Sequence, residues 1–246
     1  MMESITKSNN IVKNTDVSSI NENPLTEETI LLEDVVKLDV TGRKVINGLS
    51  LRVYSGEKVR IAGGAGSGKT CLIRLISGME SPDSGKVSVL GHPLYEMNAD
   101  AKAEFRSIHI GLVSRYPAFL RRLTVLENVA MPLTLRGVSL AEREKYARTQ
   151  LKKLELLYIA QSRSSQLTMY ELQAASVARA LVSQPEILLL DDMSADLSIK
   201  DKEKMGDLLR GVHKSSGYTI LELISGENSI LDADRKFSLT KGKVSI

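Results

Sequence analysis

From Ile30 onward the chain alternates short apolar runs with longer stretches of helical spacing. SLRVY, EKVRIAGG, KVSVLG, IGLV, EILLLDD and YTILELI have the length and branched or aliphatic content of strands. GKTCLIRLISGM and the segment from Ser139 to Leu157 read as helices, and Ser139 followed by Glu142 predicts a capping box at the start of the second. FSLTKGKVSI predicts a terminal hairpin around Lys241-Gly242-Lys243. Strand–helix alternation implies an α/β layer fold with a largely parallel sheet. Between about Arg115 and Leu181 the pattern is mostly helical and interrupts the strand series, which predicts an inserted helical subdomain.

Residues 1–29 break from this pattern. They are rich in Ser, Asn, Thr and charge, hold only scattered apolar residues, and read as a flexible polar tail ahead of a single domain at 30–246. The 246 residues suffice for a sizeable core, and 42% hydrophobic with 26% charged residues is ordinary for a globular protein. A net charge of +3, with basic residues scattered as pairs, gives no argument for nucleic acid as a partner. Cys71 is the single cysteine, so no internal disulfide forms and a reducing compartment is expected. No apolar run approaches the ~18 residues that a membrane span requires.

The sharpest chemical signal is Gly63-Gly64-Ala65-Gly66-Ser67-Gly68-Lys69-Thr70, a full match to G-x-x-x-x-G-K-[ST], followed by Cys71. Glycines let backbone N–H groups curl around phosphate oxygens, and the helix that follows turns its positive end toward them. Lys69 is placed to reach the β- and γ-phosphates, and the Thr70 hydroxyl to ligate Mg²⁺. An apolar strand precedes the loop and a helix follows, as the motif requires. EILLLDD supplies a buried strand ending in Asp191, a second candidate ligand for the same Mg²⁺. No N-K-x-D sequence occurs, which argues against a guanine-specific site.

Together with ISGMESPDSGKVSVLG, IGLVSRYPAFLRRLTVLENVAMPL and ASVARALVSQPEILLLDD, these motifs make residues 30–246 resemble the nucleotide-binding domain of ABC transporters. LTVLENVAMPL is most similar to the subgroup serving lipoprotein release, macrolide export and cell division. The resemblance implies a P-loop NTPase fold with a helical subdomain and an antiparallel β portion. It also implies ATP and Mg²⁺ as cofactors and a head-to-tail homodimer or heterodimer around two nucleotides. An integral-membrane permease would be the partner, placing the chain in the cytoplasm, peripheral to the inner face of the membrane. By the same resemblance the permease is expected to dock around Tyr116 to Pro132, with Tyr116, Phe119 and Leu120 either exposed as an apolar contact or filling a local core.

The sequence departs from the family where hydrolysis and dimer closure are organised. Arg115 stands at the Q-loop glutamine, and a guanidinium lacks an amide's mixed donor and acceptor character. Asp192 stands at the water-polarising glutamate, one methylene shorter, and is only a weak general-base candidate. Ser225 matches the switch histidine, and Ser198, with Asp196 two positions earlier, the D-loop aspartate. The signature L-S-G-G-[QE] reads Leu167, Thr168, Met169, Tyr170, Glu171. Thr168 and Glu171 keep a capping box, whereas Met169 and Tyr170 add bulk where bare backbone approaches phosphate. No aromatic residue for stacking on adenine is evident near Lys37-Leu38-Asp39. Three readings follow: an ATP-binding transporter subunit with weak hydrolysis, a fully active ATPase with substituted catalytic residues, or a soluble regulatory ATP-binding protein.

Overall fold

The structure, a computed structural model, describes residues 27–226 and 229–245. The expected tail lies outside the described residues except for Glu27, Glu28 and Thr29, and there the expectation is corrected. Strand β1 (Glu28–Leu38) has already begun, and Thr29 is buried with its carbonyl accepting the Leu90 N–H at 2.8 Å. β1 pairs antiparallel with β2 (Lys44–Tyr54) and with β4 (Ser84–Val89). The short β5 (His92–Pro93) completes an antiparallel sheet in the order β2-β1-β4-β5. Sequence pattern alone did not single out β1, because register shifts between Leu32 and Val35 and a left-handed Asp34 interrupt its alternation.

A second sheet has the order β10-β9-β3-β8-β7-β6. Its members are β3 (Lys58–Ala62), β6 (Ile110–Ser114), β7 (Ile187–Asp191), β8 (Thr219–Ile224), β9 (Arg235–Thr240) and β10 (Lys243–Ser245). All neighbours run parallel except the terminal hairpin, whose turn at Lys241 and Gly242 has φ of 50° and 74°, as a two-residue hairpin needs. β7 and β8 are continuously apolar or buried because both faces of this sheet are covered.

The helices are α1 (Lys69–Ile76), α2 (Ala99–His109), α3 (Val125–Leu135), α4 (Leu140–Lys153), α5 (Met169–Leu181) and α6 (Ile199–Ser216). α3, α4 and α5 pack together between β6 and β7 in the chain, over a cluster that includes Val129, Leu151, Ala174 and Leu188. A second cluster, with Ile30, Ile61, Leu72 and Leu223, joins the antiparallel sheet to α1 and the parallel sheet. α4 stops at Lys153 rather than Leu157, since the Leu154 N–H bonds the Gln150 carbonyl, the Glu155 N–H turns back to the Lys152 carbonyl, and Glu155 is left-handed at φ 59°. Its cap is also half of the expected box: the Ser139 hydroxyl bonds the Glu142 carboxylate at 2.6 Å and receives the Glu142 N–H at 3.4 Å. α6 was not individually evident in so charged a sequence, because only Met205, Gly206, Leu209 and Val212 form its buried seam.

This topology has one consequence for chemistry. β3, β8, β7 and β6 are adjacent and parallel, so the loops leaving Ala62, Ile224, Asp191 and Ser114 open at one edge of the sheet. Ligands of open α/β sheets sit outside such carboxyl ends.

Candidate functional site

The loop from Gly63 to Gly68 links β3 to α1 and is shaped by what it lacks. At Gly68 the backbone is left-handed with φ 109°, and a Cβ there would lie 2.9 Å from both the Val45 carbonyl oxygen and the Ile46 side chain. At Gly63 a Cβ would lie 2.8 Å from the Leu239 carbonyl oxygen and closer still to the Ser67 hydroxyl. Any side chain at either position would push the loop outward. Gly64, Ala65 and Gly66 are exposed along its rim. No side chain caps α1, so its first-turn N–H groups have no side-chain acceptor.

The polar groups around this loop are unevenly satisfied. Lys69 is buried and folds back, its Nζ donating to the Gly63 and Gly64 carbonyls. The Ser67 hydroxyl is buried and has no hydrogen-bond partner among the described residues. Thr70 is exposed on the first turn of α1, and Cys71 is half-buried against the core. Burial, together with nearby Glu80, pushes the Cys71 thiol up to about 11, which makes it a packing residue and a poor nucleophile at neutral pH.

Two strands away, Asp191 ends β7 with a carboxyl raised by burial and by the adjacent Asp192 charge, while Lys69 pulls the other way. Asp192 is left-handed at φ 52°, its N–H bonds the Leu223 carbonyl at 2.8 Å, and its Oδ1 accepts the Ser225 N–H at 2.9 Å. Arg115, just beyond β6, grips Asp196 in a two-pronged pair, Nε to Oδ2 at 2.9 Å and Nη2 to Oδ1 at 2.6 Å. Its Nη1 lies 3.9 Å from Asp192 Oδ2. These hydrogen bonds raise the Arg115 pKa and hold the Asp196 carboxyl below the usual carboxylate range. The structure thus brings Arg115 and Ser225 together at Asp192, with Asp196 holding the Arg115 guanidinium.

Sequence reasoning did not find what fixes the Arg115 backbone. Gln173, buried on α5, donates from Nε2 to the Arg115 carbonyl at 2.7 Å, and Arg179 donates to the Ala118 carbonyl at 2.8 Å. The available signal was a Gln and an Arg set within the small, apolar stretch LQAASVARAL. Arg179 also lies over the Phe119 ring at 4.6 Å, and Phe119 is buried. Of the two alternatives, Phe119 fills a local core and is corrected as an exposed contact, whereas Tyr116 and Leu120 are exposed.

The 167–171 segment is placed by its helix cap. Thr168 caps α5 with the Glu171 N–H on its Oγ1 at 3.2 Å, and the Glu171 carboxylate takes the Thr168 N–H at 2.8 Å, a complete capping box. That backbone N–H is also the main reason the Glu171 carboxyl sits low. Met169 is exposed at the helix start. Tyr170 instead packs against the helical core, with Lys204 Nζ 5.4 Å from its ring centre. Ser198 caps α6 through the Asp201 N–H. Near the start of β2 the Asp39 carboxylate is tied to Thr41 and Arg43, which lower it to about 2, and Leu38 and Val40 offer only exposed aliphatic surface.

Comparison with known proteins agrees with this geometry. The ABC transporter family model matches residues 46–195. The lipoprotein-releasing system ATP-binding protein LolD of Chromohalobacter salexigens is 33% identical, spanning 84% of this chain and 86% of that protein. The Escherichia coli K12 ABC transporter ATP-binding protein YbbA is 32% identical over 81% of this chain and 88% of its own length. Among solved structures, the dimeric ABC transporter cassette MJ0796 superposes with a TM-score of 0.80 at 29% identity, covering 88% of this chain and 97% of that one. A second MJ0796 structure, dimeric and bound to ADP and Pi, superposes at 0.79 with 28% identity and the same coverage. Fold, phosphate loop and relatives converge: the chain belongs to the ABC transporter family, as an ATP-binding subunit.

Proposed function

We propose that this subunit binds Mg-ATP at residues 63–71 and pairs with a second ATP-binding subunit, its own copy or another. It would act on an integral-membrane permease while hydrolysing ATP slowly by itself. The nucleotide fits what the chain offers: a loop whose Gly63 and Gly68 admit no Cβ, a buried Ser67 hydroxyl unpaired among the described residues, and an α1 without a side-chain cap. Thr70 and Asp191 would hold Mg²⁺, which neutralises phosphate charge when bound. Metal binding would also offset the burial that now disfavours the Asp191 carboxylate.

The observation that carries the slow-hydrolysis reading is the engagement of Asp192. A general base must present a free oxygen to the attacking water. Here one Asp192 oxygen takes the Ser225 N–H at 2.9 Å, and the other lies 3.9 Å from the Arg115 guanidinium. Ser225 supplies no ionisable ring, and Arg115 supplies donors only. Met169 adds bulk at the start of α5, on the side that would face the paired subunit's nucleotide. Residues 30–246 would work as one ATP-binding domain, with α3, α4 and α5 as its helical part.

For the permease, the structure offers a groove of about 810 Å³ between α2, β6 and α3, lined by Leu112, Met131 and Leu135 among others. Arg179, which also lines it, bonds the Ala118 carbonyl in the segment that carries exposed Tyr116 and Leu120. Among the described residues no helix is long and apolar enough to cross a membrane, so membrane association would run through that partner on the cytoplasmic face. The reading is tested by measuring phosphate release from Asp192→Asn with the copurified permease present. The account expects a change under about twofold, whereas loss of a working general base costs ~100- to 10,000-fold.

A further inference from the structure

We infer that Arg115 is the residue by which this chain tells a nucleoside triphosphate from a diphosphate, and that Asp196 competes with the terminal phosphate for it. The inference rests on the reading of residues 63–71 as the nucleotide site. A carboxylate gripped by both Nε and Nη2 of an arginine occupies the guanidinium face that also fits two oxygens of a phosphate. Asp196 therefore holds the place of an anionic ligand of similar geometry. The third arm, Nη1, lies 3.9 Å from Asp192, the residue that follows the β7 terminus at Asp191.

The surroundings let the side chain change partners without moving the backbone. The Arg115 carbonyl is held by buried Gln173, and the Ala118 carbonyl by Arg179. The guanidinium itself is about one-third exposed, with side-chain exposures of 38% for Arg115 and 36% for Asp196. A pair so open to water exchanges readily, because solvent competes for both charges. A bound triphosphate carries roughly one more negative charge than a diphosphate, and that charge is its terminal group. With Asp192 and Asp196 both facing Arg115, the freed guanidinium would also screen these two carboxylates from the phosphate.

The two substitutions that disrupt the pair then act in opposite directions on nucleotide affinity. Arg115→Met removes the phosphate's partner. Asp196→Asn removes the competitor and leaves the arginine available. A merely structural brace would give both variants the same direction. The test is calorimetric titration of the full chain with Mg-ATP and Mg-ADP at fixed ionic strength, with Arg115→Lys as a variant that keeps the charge but loses the planar fork.

We expect Arg115→Met to weaken ATP about tenfold or more while moving ADP less than about twofold, the loss typical of a hydrogen bond to a charged group. Asp196→Asn is expected to tighten ATP at least about threefold with ADP little changed, and Arg115→Lys to fall between wild type and Arg115→Met. Equal effects on ATP and ADP, or weaker ATP binding in Asp196→Asn, would overturn the inference and leave the nucleotide site standing. Wild-type protein that takes up neither nucleotide would overturn the reading beneath it as well.

Discussion

The Gly63–Thr70 loop and the loops leaving β6, β7 and β8 open at the same edge of one sheet, yet they use their polar groups in opposite ways. Around the first, donors are left over: the Ser67 hydroxyl has no partner, α1 has no side-chain cap, and Lys69 is satisfied only by its own loop's carbonyls. Around the second, the polar groups consume one another, with Ser225 on Asp192, Arg115 on Asp196, and Gln173 on the Arg115 carbonyl. A site with unspent donors is built to accept an anion. A site whose carboxylate is already engaged is poorly placed to activate water. Binding and hydrolysis are separable demands, and on the proposed reading this chain meets the first through local backbone shape while the residues of the second pair with one another.

The contrast breaks most visibly at the cradle. Gly68→Val, which forces a Cβ against the Val45 carbonyl from a left-handed backbone, and Lys69→Ala should each weaken Mg-ATP by about 100-fold, read by calorimetry. The strain in Gly68→Val adds a stability loss of roughly 1–3 kcal/mol, read by thermal melting, which Lys69→Ala should not show. On the other side, Asp192→Glu lengthens the carboxylate past its tie to Ser225 and should raise phosphate release about tenfold, since ~1 Å of misplacement can cost ~100-fold. No gain would place the deficit at Met169 and the dimer contact instead. The smallest expected effect is Thr168→Ala, which removes the α5 capping box at a cost of about 1 kcal/mol and lowers Tm by roughly 2–4 °C.

Much of this molecule was legible in its sequence, and the remainder follows a pattern. The phosphate loop, the β7 strand and the Thr168–Glu171 box were readable because local backbone geometry dictates their residue types over a few positions. The Arg115–Asp196 pair was not, because its partners are 81 positions apart and meet only through the parallel register that sets Ser114 beside Asp191. Whether Phe119 is exposed or packed was not readable for a related reason, since the arginine that covers it arrives from α5. β1 was hidden by its bulges, and α6 by charge around a narrow apolar seam. Local chemistry was visible in the chain order, whereas chemistry assembled by neighbouring strands was visible only after folding.

The central claim is that a sound nucleotide cradle and an occupied hydrolytic site coexist in one subunit. Measuring Mg-ATP uptake and phosphate release on one preparation of the purified chain tests it directly. The account predicts saturable binding in the micromolar range with turnover below about 0.1 per second, under the ordinary enzymatic range of ~1–1,000 per second. Turnover within that ordinary range by the chain alone would contradict it.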